Sequence, residues 1–258
     1  MSKTSKHVIA FLDILGFKEK TKADINENYI KEVEYLISHE YISKINWNRN
    51  VFEAIGKTLK LHTFSDNLVA SCEYKQQNSN IIISAFLDYV ASIQYHFALK
   101  NYFLRGGIHI GSLYTSPNNN FLCGQGLIDS YTTESKLAIY PRVVVSKEFE
   151  QAYDKYYYEH EGIKYTERPS NSLLKIDFDN LVYVDFYNSS YIKYNKSVDN
   201  GTINEEFKSI RQHIIDEYNK YKRIPHIQQK YGWLINYHNT YCQENKLNNS
   251  FLIKNTDL

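Results

Sequence analysis

Cysteine is scarce in this chain of 258 residues: Cys72, Cys123 and Cys242 stand alone. An odd count with no C-x-x-C pair argues against a disulfide framework and against a zinc ribbon, and leaves a reducing compartment as the default. An excess of charge of either sign is also missing. Thirty Lys and Arg face 29 Asp and Glu, for a net +1, so no global field draws the chain to nucleic acid or to an anionic membrane. Long apolar runs are absent as well. The first apolar stretch is interrupted by Asp13 and is too short for a signal peptide or a span, and no later segment reads as eighteen apolar residues. Neither G-x-x-x-x-G-K-[ST] nor G-x-S-x-G occurs, which removes the P-loop and the nucleophile elbow from consideration. There is no internal repeat and no linker long enough to force a second independent domain. The expectation is a cytoplasmic protein with neither a nucleic-acid partner nor membrane insertion.

What is present suits a packed core. Apolar residues make up 43% of the chain, enough for one large domain or one domain with an appendage. The 24 tyrosines, with many Asn, Lys and Ile, read as base-composition bias towards A and T rather than as function. The Lys/Tyr-rich stretch 153–158 has aromatic and basic character, but acidic residues interleave. His213, His226 and His238 lack metal-ligand spacing and read as residues on solvated helix faces.

Periodicity divides the chain into elements. Residues 7–17 read as a buried strand closed by Gly16. Residues 26–45 have helical spacing, with Ile30, Val33, Leu36 and Ile37 on one face. Residues 57–74 read as a β-hairpin turning at Ser65, Asp66 and Asn67. A second helix is expected over 81–102, a glycine-interrupted strand over 104–114, a loop at 117–120, a third helix over 126–138 and a strand over 141–145. To that point the order is β-α-β-β-α-β-α-β, which predicts an α+β split βαβ arrangement around an antiparallel sheet. Strands at 173–176 and 181–186 follow, then helices at 205–221 and 227–242 separated by Pro225.

Two acids stand where acid is least expected. Asp13 sits inside an apolar strand, and Asp66 at a hairpin tip. A buried, unpaired carboxylate is costly and is normally neutralised by a partner or a metal. Two brought together suit hard divalent cations, which prefer oxygen ligands. Each acid also has a plainer reading: Asp66 as a turn aspartate, Asp13 as a buried structural acid.

Four motifs resemble, in order, those of the class III nucleotidyl cyclases. F-x-D-I-x-G-F is met by Phe11, Asp13, Ile14, Gly16 and Phe17. The hairpin motif T-[IF]-G-D reads Thr63, Phe64, Ser65, Asp66. R-x-G-I-H-x-G reads Arg105, Gly107, Ile108, His109 and Gly111, and the later G…E-S segment runs from Gly124 to Glu134 and Ser135. The resemblance covers residues 7–146. Within the superfamily the wording, including the closing Tyr140-Pro141-Arg142-Val143-Val144-Val145-Ser146, most resembles the bacterial Pycsar pyrimidine cyclases.

The resemblance implies a class III cyclase-like, ferredoxin-like sheet with flanking helices in a catalytic domain over 1–190. A helical extension over 191–258 would pack on that core and support dimerisation or gate activity. It implies Asp13 and Asp66, with the Ile14 carbonyl, as ligands of two Mn²⁺ or Mg²⁺ ions. Arg105 would bind the triphosphate, and a surface arginine at a strand start is the plainer reading. His62 and Phe121 fall near the base-reading positions. Purine cyclases favour Lys or Glu where His62 stands, so a pyrimidine, UTP or CTP, is the implied substrate. An exposed strand histidine is the alternative. The implied assembly is a homodimer with sites at its interface, and the cyclic UMP or cyclic CMP product would activate a separate effector in antiphage defence.

One departure is serious. The family's transition-state Asn and Arg are replaced here by Ile128 and Thr132. Asp129, Lys136 and Arg142 are nearby polar groups without an assigned role. Two rivals therefore stand beside the pyrimidine reading: a guanylate or adenylate cyclase, and a catalytically silent, nucleotide-binding homologue acting as sensor or scaffold.

Overall fold

A computed structural model describes residues 4–23, 27–38, 41, 55–56, 58–75, 79–116, 121–161, 171–198 and 200–258. Its centre is strand β1 (Ser5–Ile14), flanked by β3 (Asn67–Glu73) on one side and β4 (Leu104–Thr115) on the other, both antiparallel to it. The edge strand β2 (Lys60–Phe64) pairs with β3 across a two-residue turn in which Ser65 takes a positive φ of 56°. Beyond β4 the sheet continues through β6 (Val143–Val145), β8 (Val182–Val184) and β7 (Leu174–Ile176), with β6 parallel to β4. The short β5 (Leu122–Cys123) pairs with the end of β4. The order β2-β3-β1-β4 is the split βαβ arrangement, within a mixed, mostly antiparallel α+β sheet of eight strands.

β1 is covered on both faces, which is why it reads as a continuous apolar run rather than as an alternation. Val8, Ala10, Leu12 and Ile14 point to one side, into a core with Ile83, Phe86 and Val90 of helix α3 (Ser79–Leu99). Each large apolar side chain buried there contributes about 1.5–3 kcal/mol. Ile9 points to the other side and meets Val69, Leu113 and Leu127, beneath helix α4 (Gln125–Lys136). α4 lies unusually close to the strands. A Cβ on Gly107 would collide with the Ser130 carbonyl and with Thr133, and one on Gly111 would come within 2.5 Å of the Gly126 Cα. The glycines of β4 thus mark close helix–strand packing, one of the two readings an interrupted strand allows.

Helices α1 (Phe17–Ala23) and α2 (Asn28–Ile37) follow β1, and α5 (Lys147–Glu161) follows β6. After β8 come α6 (Ser190–Val198), α7 (Asn200–Lys220) and α8 (Pro225–Glu244). Ile210, Ile214, Tyr231, Leu234 and Tyr241 of α7 and α8 join the same buried cluster as β1 and α3. Pro225 opens α8 at its first turn, where its missing N–H costs nothing.

Several expectations change. The helix expected over 26–45 is seen as Asn28–Ile37, and 39–40 and 42–50 lie outside the described residues, as does the loop expected at 117–120. Among the described residues one segment, Ile81–Leu99, is long and apolar enough to cross a membrane, although no segment was expected to be; 83% of its most apolar stretch is buried inside the protein, as the core helix expected over 81–102. His238 is not on a solvated face. It is fully buried, bonded to the Tyr187 hydroxyl at 2.8 Å and the Phe251 carbonyl at 2.9 Å, and burial pushes its pKa down to about 4. His213 is half-buried and bonds the Ala98 carbonyl at 3.1 Å, whereas His226 is exposed.

Candidate functional site

The register of the central strands collects the site. Asp13 lies opposite Asn67 on β3 and opposite Arg105 on β4. Directly paired residues project to the same face of a sheet, so Asp13, Asn67 and Arg105 form one row at one end of it. Asp66 immediately precedes Asn67 in the hairpin turn, which brings the second acid beside the first. The Asn67 amide donates to the Asp66 carboxylate at 3.4 Å. Ile14, whose carbonyl is a candidate ligand, ends β1 next to Asp13.

Arg105 is engaged on two sides. Its Nε donates to Asp13 Oδ2 at 2.8 Å, and its Nη2 lies 2.7 Å from Glu134 Oε1. The second contact is an ion pair whose angles do not make a well-formed hydrogen bond. Glu134 is 3% exposed, delivered by the face of α4 that carries Gly126, Ser130 and Thr133. Sequence reading quoted Glu134 within a motif but gave it no place in the site. The signal was there: small residues at 126, 130 and 133 mark the inward face of the helix, and 134 falls on it.

One guanidinium against three acids leaves the carboxylates short of positive charge. Burial pushes Asp13 up to about 7; Arg105 opposes the shift, while the negative charges of Glu134 and Asp66 add to it. Burial likewise raises Glu134, again opposed by Arg105. A partly buried carboxyl whose pKa burial raises to about 7, with the negative charges of two more acids acting on it, is a site that a cation would relieve.

The other predicted residues divide. His62 is opposite Val69, which is opposite Phe11, so it shares the face of Asp13, about two strand spacings or roughly 10 Å across the sheet. Phe121 is not brought to the cluster within one chain. It is exposed, its ring 6.3 Å from that of Tyr114 between centroids, and Tyr114 lies roughly 30 Å along β4 from Arg105 at about 3.3 Å per residue. Ile128 is 55% exposed, and the Thr132 hydroxyl is spent on the Ile128 carbonyl of its own helix at 2.7 Å. Arg142 is excluded from the chemistry: its fully buried guanidinium is clamped by Asp177 and Asp179. Asp129 accepts from Gln125 at 2.8 Å and Lys136 is exposed. His109 of the R-x-G-I-H-x-G motif bonds the Thr133 hydroxyl at 2.6 Å, tying α4 to the sheet.

Among the described residues, no group of three or more His, Cys, Asp or Glu is arranged to hold a metal ion by itself. The set that is present, two carboxylates at adjacent strand ends with a backbone carbonyl beside one of them, fits instead the way Mg²⁺ is commonly held, by one or two carboxylates completed by substrate phosphates and water.

No family model matches the chain, and no curated protein matches it. Among solved structures it is similar to the guanylyl cyclase Cya2, at 10% identity over 71% of this chain and 92% of that one, with a TM-score of 0.43. It is similar to a class III adenylyl cyclase-like ATP-binding protein from Pseudomonas aeruginosa, at 12% identity over 58% of this chain and 35% of that one, with a TM-score of 0.40. A bacterial light-regulated adenylyl cyclase is similar at 14% identity over 75% of this chain and 57% of that one, with a TM-score of 0.41. At these identities and scores the likeness assigns no role to any residue of this chain.

Proposed function

We propose that this chain is a nucleotidyl cyclase that converts a nucleoside triphosphate, preferentially UTP or CTP, into the 3′,5′-cyclic monophosphate and pyrophosphate. The observation that carries the reading is the contact set Asp13–Arg105–Glu134, drawn from the end of β1, the start of β4 and α4, with Asp66 in the adjoining hairpin turn, on a sheet of order β2-β3-β1-β4. In the reaction the ribose 3′-oxygen bonds to the α-phosphorus, the bond to the pyrophosphate oxygen breaks, and the 3′-hydroxyl proton is released. Such chemistry needs a charge clamp on the phosphates and a means of lowering the 3′-hydroxyl pKa.

Asp13 and Asp66, with the Ile14 carbonyl, would hold two divalent cations, Mg²⁺ or Mn²⁺, which when bound supply both requirements. The protein's own part is to position and to balance charge. Arg105, which here donates to Asp13, carries a planar guanidinium fork suited to phosphate oxygens and would serve as the triphosphate clamp beside the cation-holding carboxylates. Glu134 keeps that fork oriented from behind. His62 lies on the same face with both ring nitrogens buried, so as folded it offers no donor or acceptor to a base edge; the pyrimidine preference rests on the absence of Lys or Glu at that position.

The active form is proposed as a homodimer. Phe64 is 80% exposed and Tyr131 53% exposed on the side of the sheet that carries Asp13, and Phe121, far from the cluster in its own chain, is available to a partner's site. Residues 1–190 are proposed as the catalytic part and 191–258 as a helical extension. The product would be a diffusible second messenger read by a separate effector in antiphage defence.

A second reading, a nucleotide-binding homologue without turnover, is favoured by Ile128 and Thr132, which offer no amide or guanidinium to the reacting phosphate. One experiment separates the readings: product formation from ATP, GTP, CTP and UTP in separate incubations with Mn²⁺, for wild type and Asp66→Ala. A cyclic pyrimidine nucleotide from wild type, lost in the variant, supports the proposal. A purine product keeps the cyclase and removes the pyrimidine assignment. Nucleotide binding with no product from any of the four supports the silent homologue.

A further inference from the structure

The C-terminal helix α8 reaches the candidate site. Tyr231 packs its ring on Phe103 at 6.1 Å between centroids and stacks parallel to Tyr221 at 5.9 Å, and its hydroxyl donates to Glu217 at 3.0 Å. Phe103 lies two residues before Arg105, and its carbonyl accepts the backbone N–H of Leu15, two residues past Asp13. Tyr231 is therefore nailed to the end of the sheet where the charged row stands. On its other side Gln229 donates to the Tyr140 hydroxyl at 3.2 Å. Between these two anchors is Lys230.

Lys230 is half-buried, and among the described residues no acid lies within ion-pair distance of its ammonium. The charges that act on it are those of the site: Arg105, Asp13 and Glu134, with Glu19 of α1. Two of these acids are already taken up by Arg105. The neighbouring Lys20 is also committed, 3.5 Å from Glu217 and over the Tyr102 ring at 5.3 Å. A cation withdrawn from water and left without a counter-ion is costly unless an anion arrives. An ammonium on a rigid helix is a point-charge phosphate binder of the kind a P-loop lysine provides.

We infer that Lys230 of the C-terminal helix binds the phosphate chain of the nucleoside triphosphate, so that the extension completes the site of its own chain. This rests on the cyclase reading for its substrate. It gives the extension a direct part in function: a displacement of α8 removes a phosphate contact and leaves Asp13, Asp66 and Arg105 in place.

The test is calorimetric titration of inorganic tripolyphosphate with Mn²⁺ into wild type, Lys230→Met, Lys230→Arg and Asp66→Ala. Loss of one charge-assisted phosphate contact weakens binding by about tenfold, so Lys230→Met is expected to fall by that factor and Lys230→Arg to recover most of it. Wild-type affinity in Lys230→Met, with binding lost in Asp66→Ala, overturns the role of Lys230 and spares the cyclase reading. No binding by wild type overturns both. The unmutated chain offers a second measurement that does not depend on how a variant folds. Acetylation of Lys230 by an N-hydroxysuccinimide ester, followed by peptide mass spectrometry, is expected to slow at least fivefold with tripolyphosphate and Mn²⁺ present, and equal labelling overturns the inference.

Discussion

Two buried charged regions of this protein are built in opposite ways. Behind β6, Arg142 is fully buried and clamped by two acids, Asp177 and Asp179, and Asp177 also accepts the Trp233 indole N–H at 2.7 Å. Nearby Asp185, fully buried, accepts from Tyr237 at 2.6 Å and Asn188 at 2.8 Å, with Lys175 at 3.2 Å. Those charges are closed on themselves and hold the sheet edge to α8. At the ends of β1 and β4 the count does not close. One guanidinium serves Asp13 and Glu134, Asp66 stands alongside, and Lys230 has no ion-pair partner among the described residues. A closed network reads as structure; an open one, holding both surplus acid and a cation without an ion-pair partner, fits the proposed metal–triphosphate ligand, which would bring both charges.

The contrast can be broken at its open end first. Asp66→Ala should lower the proposed cyclase activity by about 10³-fold, the scale expected when transition-state charge stabilisation is lost, while the melting temperature changes little because Asp66 sits in a turn. A fall in stability comparable to the loss of activity would make Asp66 structural. The closed end should respond the other way. Arg142→Met should destabilise the fold by about 3 kcal/mol, since removing one partner of a buried ion pair strands the others. Urea midpoints measure this, and activity per folded molecule should be retained.

Between the two regions lies the seat of α4. Gly107→Ala places a methyl group against the Ser130 carbonyl and Thr133, an overpacking that costs about 1–3 kcal/mol and lifts Glu134 from Arg105. It should therefore lower both the urea midpoint and triphosphate affinity, and an unchanged affinity would show that Glu134 does not orient Arg105.

The smallest effects are in pH, and they have opposite signs. His238 titrates near 4 when folded, against an ordinary value near 6.5. The unfolded chain binds that proton first, so its contribution to stability is lost as pH falls from about 6.5 towards 4. Asp13 titrates near 7 when folded, against 3.8. Here the folded chain binds the proton first, so stability is gained as pH falls from about 7 towards 4. Melting temperatures across that window should drop more steeply with acid in Asp13→Asn and less steeply in His238→Gln. Identical slopes in both variants would remove these two groups from the acid response.

Much of this was legible along the chain, and the failures have physical causes. The apolar run of β1, the hairpin around Ser65–Asn67 and the long α3 declare themselves because their periodicity is strong and local. Helices α1, α5 and α6 passed unnoticed. In α5 and α6 Tyr stands in for aliphatic residues and both pack on α3, so packing rather than intrinsic preference holds them, while in α1 Phe17 is the one large apolar side chain. His238 was misread because a lone histidine among Asn, Tyr and Gln looks solvated. In α8 the neighbours Leu234, Ile235, Tyr237, Tyr241 and Cys242 are all buried, so the helix is enclosed almost all round. Lys230 carried no signal, since nothing in its neighbourhood along the chain says which charges α8 will face.

The sequence by itself determined the strand–hairpin–strand order and the positions of Asp13, Asp66 and Arg105 upon it, because alternation, turn chemistry and glycine spacing act over a few residues. Only the tertiary structure decided which charges meet. Glu134 reaches Arg105 because three small residues let α4 settle on the glycines of β4, and Lys230 reaches the same place because Tyr231 docks on Phe103. Burial and electrostatic balance depend on elements as far apart in the chain as β1 and α8, and no local pattern encodes them.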